Sequence, residues 1–517
     1  MNLLKPGRTG VASALGVLAF GLACAAAPAF AINYDGSLDP SLSPVFDTPF
    51  AGIPGLFRYS VDLGGGGSDH NADSATAVAV QVDGKIVVAG FSFNNYLGTD
   101  QNACVIQRFN ADGSIDYGFG ASGQVVQNFN PSGGRNDCFL TSVALQGDGK
   151  IVVAGNIADV SHGERALIER FNANGSSDHS FASTGYFVVP NNKTAFAAVK
   201  VNPAGPIYAA GRGSGFYGSS HTDNDFYLAV FSATGTLTQE LTTFFDLGAD
   251  KDDRANAMVV EPNFGLAKVY LVGNANSAPY SDQPHHQCAI AAYVYSLNDS
   301  AFVPDTTFSG NGAASFDILA YNEGDTYCRA ALARKGGGVV VGGESYFIST
   351  LTLPAGRASH YALGEIDRNG SVLYSSAQGN FFQMFALPGI YNGIFGMARE
   401  AGGKVIVTGY AGTDDANGLP SDGVAMRLLS NFVTDPSFGT DPSHHITLLS
   451  LDGLGGLDPA QREWGTAMAM DNHGRIVVVG ERSYQLSNTP GDYDWLISRL
   501  NMSDVIFRDG LDGVVPD

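Results

Sequence analysis

Positive charge is scarce in this chain: 28 Lys and Arg stand against 50 Asp and Glu over 517 residues, a formal net charge of −22. That balance argues against a nucleic-acid partner, because a polyanion would approach against the field and no basic stripe offsets it. Long apolar runs are nearly absent too. The one near the N-terminus, Val11 to Ala27, has no stop-transfer segment after it, so no membrane span is expected. Lys5 and Arg8 precede that run and Ala29-Phe30-Ala31 follow it, the layout of a leader cleaved after Ala31. Residues 1–31 are therefore read as a signal peptide and the remainder as exported, to the periplasm, the cell surface or the medium. Cys24 has Gly21 three residues before it, where a lipoprotein site wants Leu, and is set aside. Loss of the leader leaves 26 basic against 50 acidic residues.

Recognisable catalytic spacings are missing as well. The chain has no GxSxG elbow, no HExxH helix, no CxxC and no Walker-type phosphate loop. His285-His286 beside Cys288, and His444-His445, are adjacent pairs without the spacing of a metal set. The Asp-Gly turns at 83–84, 112–113 and 148–149 lack the alternating carboxylates and terminal Glu of a calcium loop, and are read as type I′ hairpin turns. No cofactor is expected. A divalent cation is the alternative.

What the chain does have is a repeat. AVAVQVDGKIVVAG ends at Gly90 and SVALQGDGKIVVAG at Gly155, and more worn copies end at Gly211, Gly273, Gly343, Gly409 and Gly480. The spacing suits a four-stranded β-blade with generous loops. In the first copy TAVAVQV reads as strand a, KIVVAGFSF as b, ACVIQRF as c and GQVVQNF as d, with apolar and polar residues alternating as half-buried antiparallel strands require. Strand a is rich in Ala and Gly, as expected where inner strands converge on a crowded axis. Strands a, b and c of a seventh blade lie between residues 465 and 505, and its fourth strand is missing there. DGSLDPSL at 35–42, running on to YSVDL at 59–63, is read as the missing piece. The expected fold is thus all-β: a seven-bladed propeller of four-stranded antiparallel blades over 32–505, closed by strand exchange between the termini, with a tail at 506–517.

Four cysteines remain after the leader, Cys104, Cys138, Cys288 and Cys328, and they occupy nearly the same two addresses in different repeats. Two disulfides, Cys104 to Cys138 and Cys288 to Cys328, are expected in an oxidising compartment.

The combination of DGKIVVAG, IQRFNADGSIDYGFG and a period near sixty resembles the delta-60 repeat (DUF5122-type) proteins, a largely bacterial exported group of β-propellers. The two sharpest copies span Ala75 to Phe181. The third copy departs with Pro206-Ile207-Tyr208, and the fourth with NFGLAK where the turn should be short. The resemblance implies the fold and no particular reaction.

In this topology the b-to-c loops and the d-to-a connections emerge on one rim. The connections carry Asp69, Asp73, Asp137, Asp252, Asp253, Asp325 and Glu463, and the loops carry Phe93, Tyr217, Tyr280, Tyr346, Tyr410 and Tyr484. Aromatic rings on adaptable loops over a rigid ring suit stacking on sugars or packing on protein. The candidate binding residues are Phe93, Tyr217, Tyr280, Tyr346, Tyr410 and Tyr484 together with Asp73, Asp253 and Asp325, whose carboxylates would accept hydroxyl or ammonium donors. The chain is read as a monomeric, non-enzymatic binding protein for a glycan, a peptide or a cell-surface partner. A metal-assisted hydrolase or lactonase at the channel mouth is the alternative.

Overall fold

Short runs of β-branched residues between glycine turns pair with their neighbours in sequence, so each repeat closes on itself as one small antiparallel sheet. The computed structural model describes residues 35–45, 50–61, 63, 72–94, 101–129, 136–159, 161–191, 193–203, 205–214, 223–245, 247, 252–263, 266–280, 283–316, 325–349, 356–373, 383–385, 391–400, 402–412, 421–441, 443–451, 463–484 and 492–502. These form seven separate sheets. Blade 1 runs Asp73–Val80 (a), Ile86–Asn94 (b), Gln101–Phe109 (c) and Gln124–Gln127 (d). Blades 2 to 6 follow the same order, blades 4 and 5 adding a fifth strand that also pairs with strand c, and begin with strands a at Asn136–Leu145, Ala195–Val201, Arg254–Asn263, Thr326–Ala333 and Tyr391–Arg399.

Blade 7 is built from both ends of the chain. Glu463–Met470, Ile476–Tyr484 and Asp492–Leu500 supply a, b and c, and Leu56–Tyr59 supplies d, pairing Leu56 with Ser498 and Tyr59 with Trp495. Phe50–Ile53 adds a fifth, outermost strand. The exchange expected from the sequence is present, but the strand lies at 56–59. Residues 35–42 instead form a turn laid along the end of strand c, bridged Leu38 to Leu500, with the Asp39 amide donating to the Arg499 carbonyl at 2.7 Å, the Gly36 amide to Asn501 at 2.7 Å and the Asn501 amide to Ser37 at 2.8 Å. Pro40 suits such a turn better than a ladder.

The core shows that the ring is closed. Buried apolar residues fall into seven clusters, each lying between two neighbouring blades. An open array of seven blades would have six such junctions. The seventh packs Phe57, Trp495 and Val477 of blade 7 against Val88 and Phe109 of blade 1.

Strand a departs from regular pairing at the same register in all seven blades. The ladder to strand b skips Thr76, Thr141, Ala197, Asn256, Arg329, Phe395 and Thr466, a β-bulge in every blade. The bulge explains the seven anchor glycines. It brings the strand-a carbonyls of Ser74, Phe139, Ala195, Arg254, Tyr327, Gly393 and Trp464 against Gly90, Gly155, Gly211, Gly273, Gly343, Gly409 and Gly480, and a Cβ at any of these would overlap the carbonyl oxygen. Where the bulged residue is Thr or Asn it ties its blade to the next. Thr76 Oγ1 donates to the Leu140 carbonyl at 2.6 Å, Thr141 Oγ1 to Phe196 at 2.7 Å, Asn256 Nδ2 to Cys328 at 2.8 Å, and Thr466 Oγ1 to Ala75 across the closing junction.

The repeated RFNADGSID segment builds a second tie at the opposite end. Arg108 Nε donates to Asp116 at 2.8 Å, and Arg170 to Asp178, Arg427 to Asp435 and Arg499 to Asp39 at 2.7 to 2.8 Å. Three of these guanidiniums also reach a carbonyl of a neighbouring blade: Arg108 to Ala173, Arg170 to Ala233 and Arg499 to Ala111. Burial pushes the Asp178 and Asp435 carboxyls up, but Ser180 or Ser437, the nearby lysine and the arginine outweigh it and hold both well below the usual range. The Asp-Gly hairpins differ from expectation. Gly84 donates to the Gln81 carbonyl with φ of 84°, while Val82 and Asp83 have no positive φ. Each is therefore a type I turn with a left-handed glycine, not type I′, because the bulged glycine absorbs the extra residue.

Candidate binding site at the channel mouth

Inner strands from all seven blades surround an axial cavity of about 350 Å³, with Thr76, Thr141, Lys200, Asn256, Arg329, Phe395 and Thr466 in its wall. The small residues expected there are present on some blades only. Lys200, Arg329, Phe395 and Met468 also face the cavity, and its described lining holds two cations and no carboxylate.

Above the cavity, on the rim where strands b end and strands a begin, the residue after each anchor glycine sits opposite a residue of strand a. Phe91, Asn156, Arg212, Asn274, Glu344, Tyr410 and Glu481 form one circle, facing Ser74, Phe139, Ala195, Arg254, Tyr327, Gly393 and Trp464. Blades 4 to 6 carry a connected polar network. Glu344 accepts Arg329 Nε at 2.8 Å, Arg329 Nη2, and the Tyr410 hydroxyl at 2.7 Å. The Arg329 guanidinium lies 4.9 Å from the Phe395 ring centroid and 5.3 Å from that of Tyr327. The Tyr327 hydroxyl meets His286 Nδ1 at 2.9 Å, and the His286 amide donates to Asp325 at 3.0 Å. Gly393 makes room for this network, since a Cβ there would strike the Tyr410 ring and Glu344.

The electrostatics of the mouth are uneven. Burial, then the charges of Asp325 and Glu344, push the Tyr327 hydroxyl up. On blade 7 burial raises the Glu481 carboxyl to about 6, against the lowering effect of the Ser74 hydroxyl that donates to it. On blades 3 to 5 the guanidiniums of Arg212, Arg254 and Arg329 come together. Arg254 is held below the ordinary arginine value by desolvation first and then by Arg329 and Arg212, with Tyr327 and Asp252 acting the other way. Arg254 is exposed to solvent at the rim.

Residues 81–119 and 146–181 match the family model of a domain of unknown function, the DUF5122 beta-propeller. The match spans two of the seven repeats of the ring. The chain is a DUF5122-type β-propeller protein. No curated protein matches it. Among solved structures it is similar to the polysaccharide lyase Uly1, with a TM-score of 0.43, 10% identity, and 91% of this chain and 98% of that one covered. A levansucrase of B. megaterium gives 0.32 and 10%, covering 69% and 93%. A mannose phosphorylase from Leishmania mexicana gives 0.27 and 13%, covering 52% and 78%. All three superpositions are loose.

In this DUF5122-type propeller both disulfides join the expected partners, Cys104 to Cys138 and Cys288 to Cys328. The rim aromatics are placed differently from expectation. Phe93, Tyr280, Tyr346, Tyr410 and Tyr484 belong to strands b, which run on past the anchor glycine to Asn94, Tyr280, Ser349, Gly412 and Tyr484. Tyr410 leans towards Glu344 and the axis, and Phe93 is half-buried. Tyr217 and the side chains of Tyr280, Tyr346 and Tyr484 lie outside the described residues.

Asp73, Asp253 and Asp325 are buried, and each accepts main-chain amides: Asp73 from Val61 at 2.7 Å, Asp253 from Phe245 at 3.1 Å and Asn276 at 2.9 Å, and Asp325 from His286. Glu463 does the same for Leu451 at 3.0 Å. Val61, Phe245 and Leu451 lie on d-to-a connections and Asn276 and His286 at the rim ends of strands b and c, and a buried amide needs an acceptor. Arg254, Arg329, Glu344, Trp464 and Glu481 were missed by sequence reasoning. Their common signal is position, beside or opposite the residue after an anchor glycine.

Proposed function

We propose that this protein is an exported, non-enzymatic binding module that takes a glycan or peptide ligand on the rim around the channel mouth. The observation that carries the reading is the contrast between rim and scaffold. The signature charges of the repeats tie blades together, whereas the mouth gathers Arg254, Arg329, Tyr327, Tyr410, Phe395 and Trp464 on rigid strand ends. Rigid aromatic and arginine side chains give contact area at low ordering cost, which suits recognition. Two disulfides suit export to an oxidising compartment. A metal-assisted hydrolase needs three or four converging ligands, and among the described residues no three His, Cys, Asp or Glu are so placed.

The test is a glycan and peptide array followed by titration of the best ligand. Tyr410→Ala should weaken binding by about 1 kcal/mol or more if it is a contact residue. Tyr117→Ala, an exposed aromatic on the opposite face, should leave it unchanged. The reverse result would move the site to the hairpin-turn face.

A further inference from the structure

We propose that the mouth between blades 3 and 5 receives a single anionic group, a carboxylate or sulfate carried on a sugar, with Arg254 as its direct ligand and Arg212 and Arg329 beside it. The proposal rests on the binding reading above and names the ligand class for the same site.

Arg212 follows the anchor glycine of blade 3, Arg254 opposes the corresponding residue of blade 4, and Arg329 is the bulged residue of blade 5. Three adjacent blades thus each send one guanidinium to the same side of the mouth. Two are already paired, Arg212 with Glu164 and Arg329 with Glu344. Arg254 is different: its guanidinium makes no hydrogen bond or ion pair to any described residue. Of the two carboxylates that precede it in sequence, Asp253 accepts the Phe245 and Asn276 amides, and Asp252 is engaged by the main-chain and side-chain amides of Asn224 at 2.9 and 3.0 Å. A guanidinium with its planar fork unoccupied, beside two like charges, is relieved by an incoming carboxylate or sulfate that can accept two parallel hydrogen bonds. Arg329 and Lys200 below it in the cavity wall extend the positive potential inward.

The rest of the molecule narrows the class. A net charge of −22 opposes a long polyanion but acts weakly, across a screened distance, on one anionic group beside the Arg254 guanidinium. Tyr327, Tyr410 and Phe395 on the same arc offer the apolar faces that a sugar ring requires and an isolated inorganic ion does not.

The experiment is calorimetric titration of the full-length chain with sodium sulfate and with glucuronate at constant ionic strength, glucose serving as the uncharged control. Saturable binding of an anion, absent for glucose, is expected. Arg254→Met should weaken it about tenfold or more, the loss of one charge-assisted bidentate contact. Arg368→Met, on the opposite face, should not change it. Because the Arg254 side chain has no described partner, folding should survive its replacement, and an unchanged melting temperature would verify that. Sulfate binding alone points to a sulfated sugar, and glucuronate binding alone to a uronate. No saturable anion binding, or binding undiminished in Arg254→Met, overturns the proposal. An uncharged array ligand that depends on Tyr410 and tolerates Arg254→Met would also overturn it, while leaving the rim as a binding face. Anion binding lost in Arg254→Met with no array ligand at all would instead uphold the anion site and remove the broader reading.

Discussion

Replacing Asp39 by Ala removes the acceptor at the centre of the ring seam. Asp39 Oδ2 takes Arg499 Nε at 2.7 Å and Arg475 Nη1 at 2.9 Å, and its other oxygen takes the Ser41 amide at 3.0 Å. The Arg499 and Asp39 side chains are only 2% and 6% exposed, so the deletion strands a guanidinium that water cannot readily reach. Breaking one partner of a buried pair costs about 3 to 5 kcal/mol. If the ring unfolds as one unit, roughly 470 residues at about 2.1 cal/mol/K each give an unfolding entropy near 1 kcal/mol/K, so the melting temperature should fall by about 3 to 5 °C. Scanning calorimetry reads this directly, and pH supplies an internal control. Burial raises the Asp39 carboxyl, but Ser41, Arg499 and Arg475 outweigh it and leave it below its ordinary value of 3.8. A depressed carboxyl contributes stability that is complete above the unfolded value and disappears as pH falls through the folded one. The gap between native and Asp39→Ala should therefore close as pH drops below about 4. A shift under about 1 °C at neutral pH, or a gap that is unchanged in acid, would refute the assignment of Asp39 as the seam's acceptor.

Removing Cys104 with Cys138, or Cys288 with Cys328, opens loops of 34 and 40 residues and should cost roughly 4 kcal/mol each on the loop-entropy model, read from denaturant midpoints. Glu169, buried between blades 1 and 2 with one hydrogen bond from Gln127 at 2.9 Å, is pushed by desolvation to about 8. A carboxyl raised in the folded state binds more protons there than in the unfolded chain, so stability should fall as pH climbs from about 4.5 to about 8, and Glu169→Gln should flatten that fall in a pH series of melts. Deleting residues 33–63 should leave strand Asp492–Leu500 with an open edge and produce aggregation on light scattering. Gly155→Ala should destabilise the ring by several kcal/mol or prevent folding, because the added carbon meets the Phe139 carbonyl, as circular dichroism melts would show.

Seven repeats, shared termini and paired cysteines could be read because each is a local pattern: DGKIVVAG states its own strand, turn and strand, and Cys104 and Cys288 hold matching places in matching repeats. The bulges could not be read, because a bulge is a mismatch in register between two strands and its only mark is the glycine on the facing strand, while the bulged position itself keeps no residue type. Thr, Ala, Asn, Arg and Phe all occupy it. For the same reason the mouth was only half legible. Acidic residues before strand a looked like a ligand surface, yet the amides they serve, such as Val61 for Asp73 and Leu451 for Glu463, lie twelve positions upstream on a connection whose path the sequence does not give. Arg254 was overlooked because nothing in ADKDDRANAM marks it as facing an axis.

The bulged position also bears on how such a molecule could change over time. On blades 7, 1, 2 and 4 it is spent on fastening, through Thr466, Thr76, Thr141 and Asn256. Blades 5 and 6 give the same place to Arg329 and Phe395, whose side chains join the mouth network instead. One structural address therefore serves either cohesion or chemistry, and the circumference is shared out between a conservative arc and an inventive one. New specificities would be expected to arise first on the inventive arc, while the fastened arc keeps the ring whole during the change.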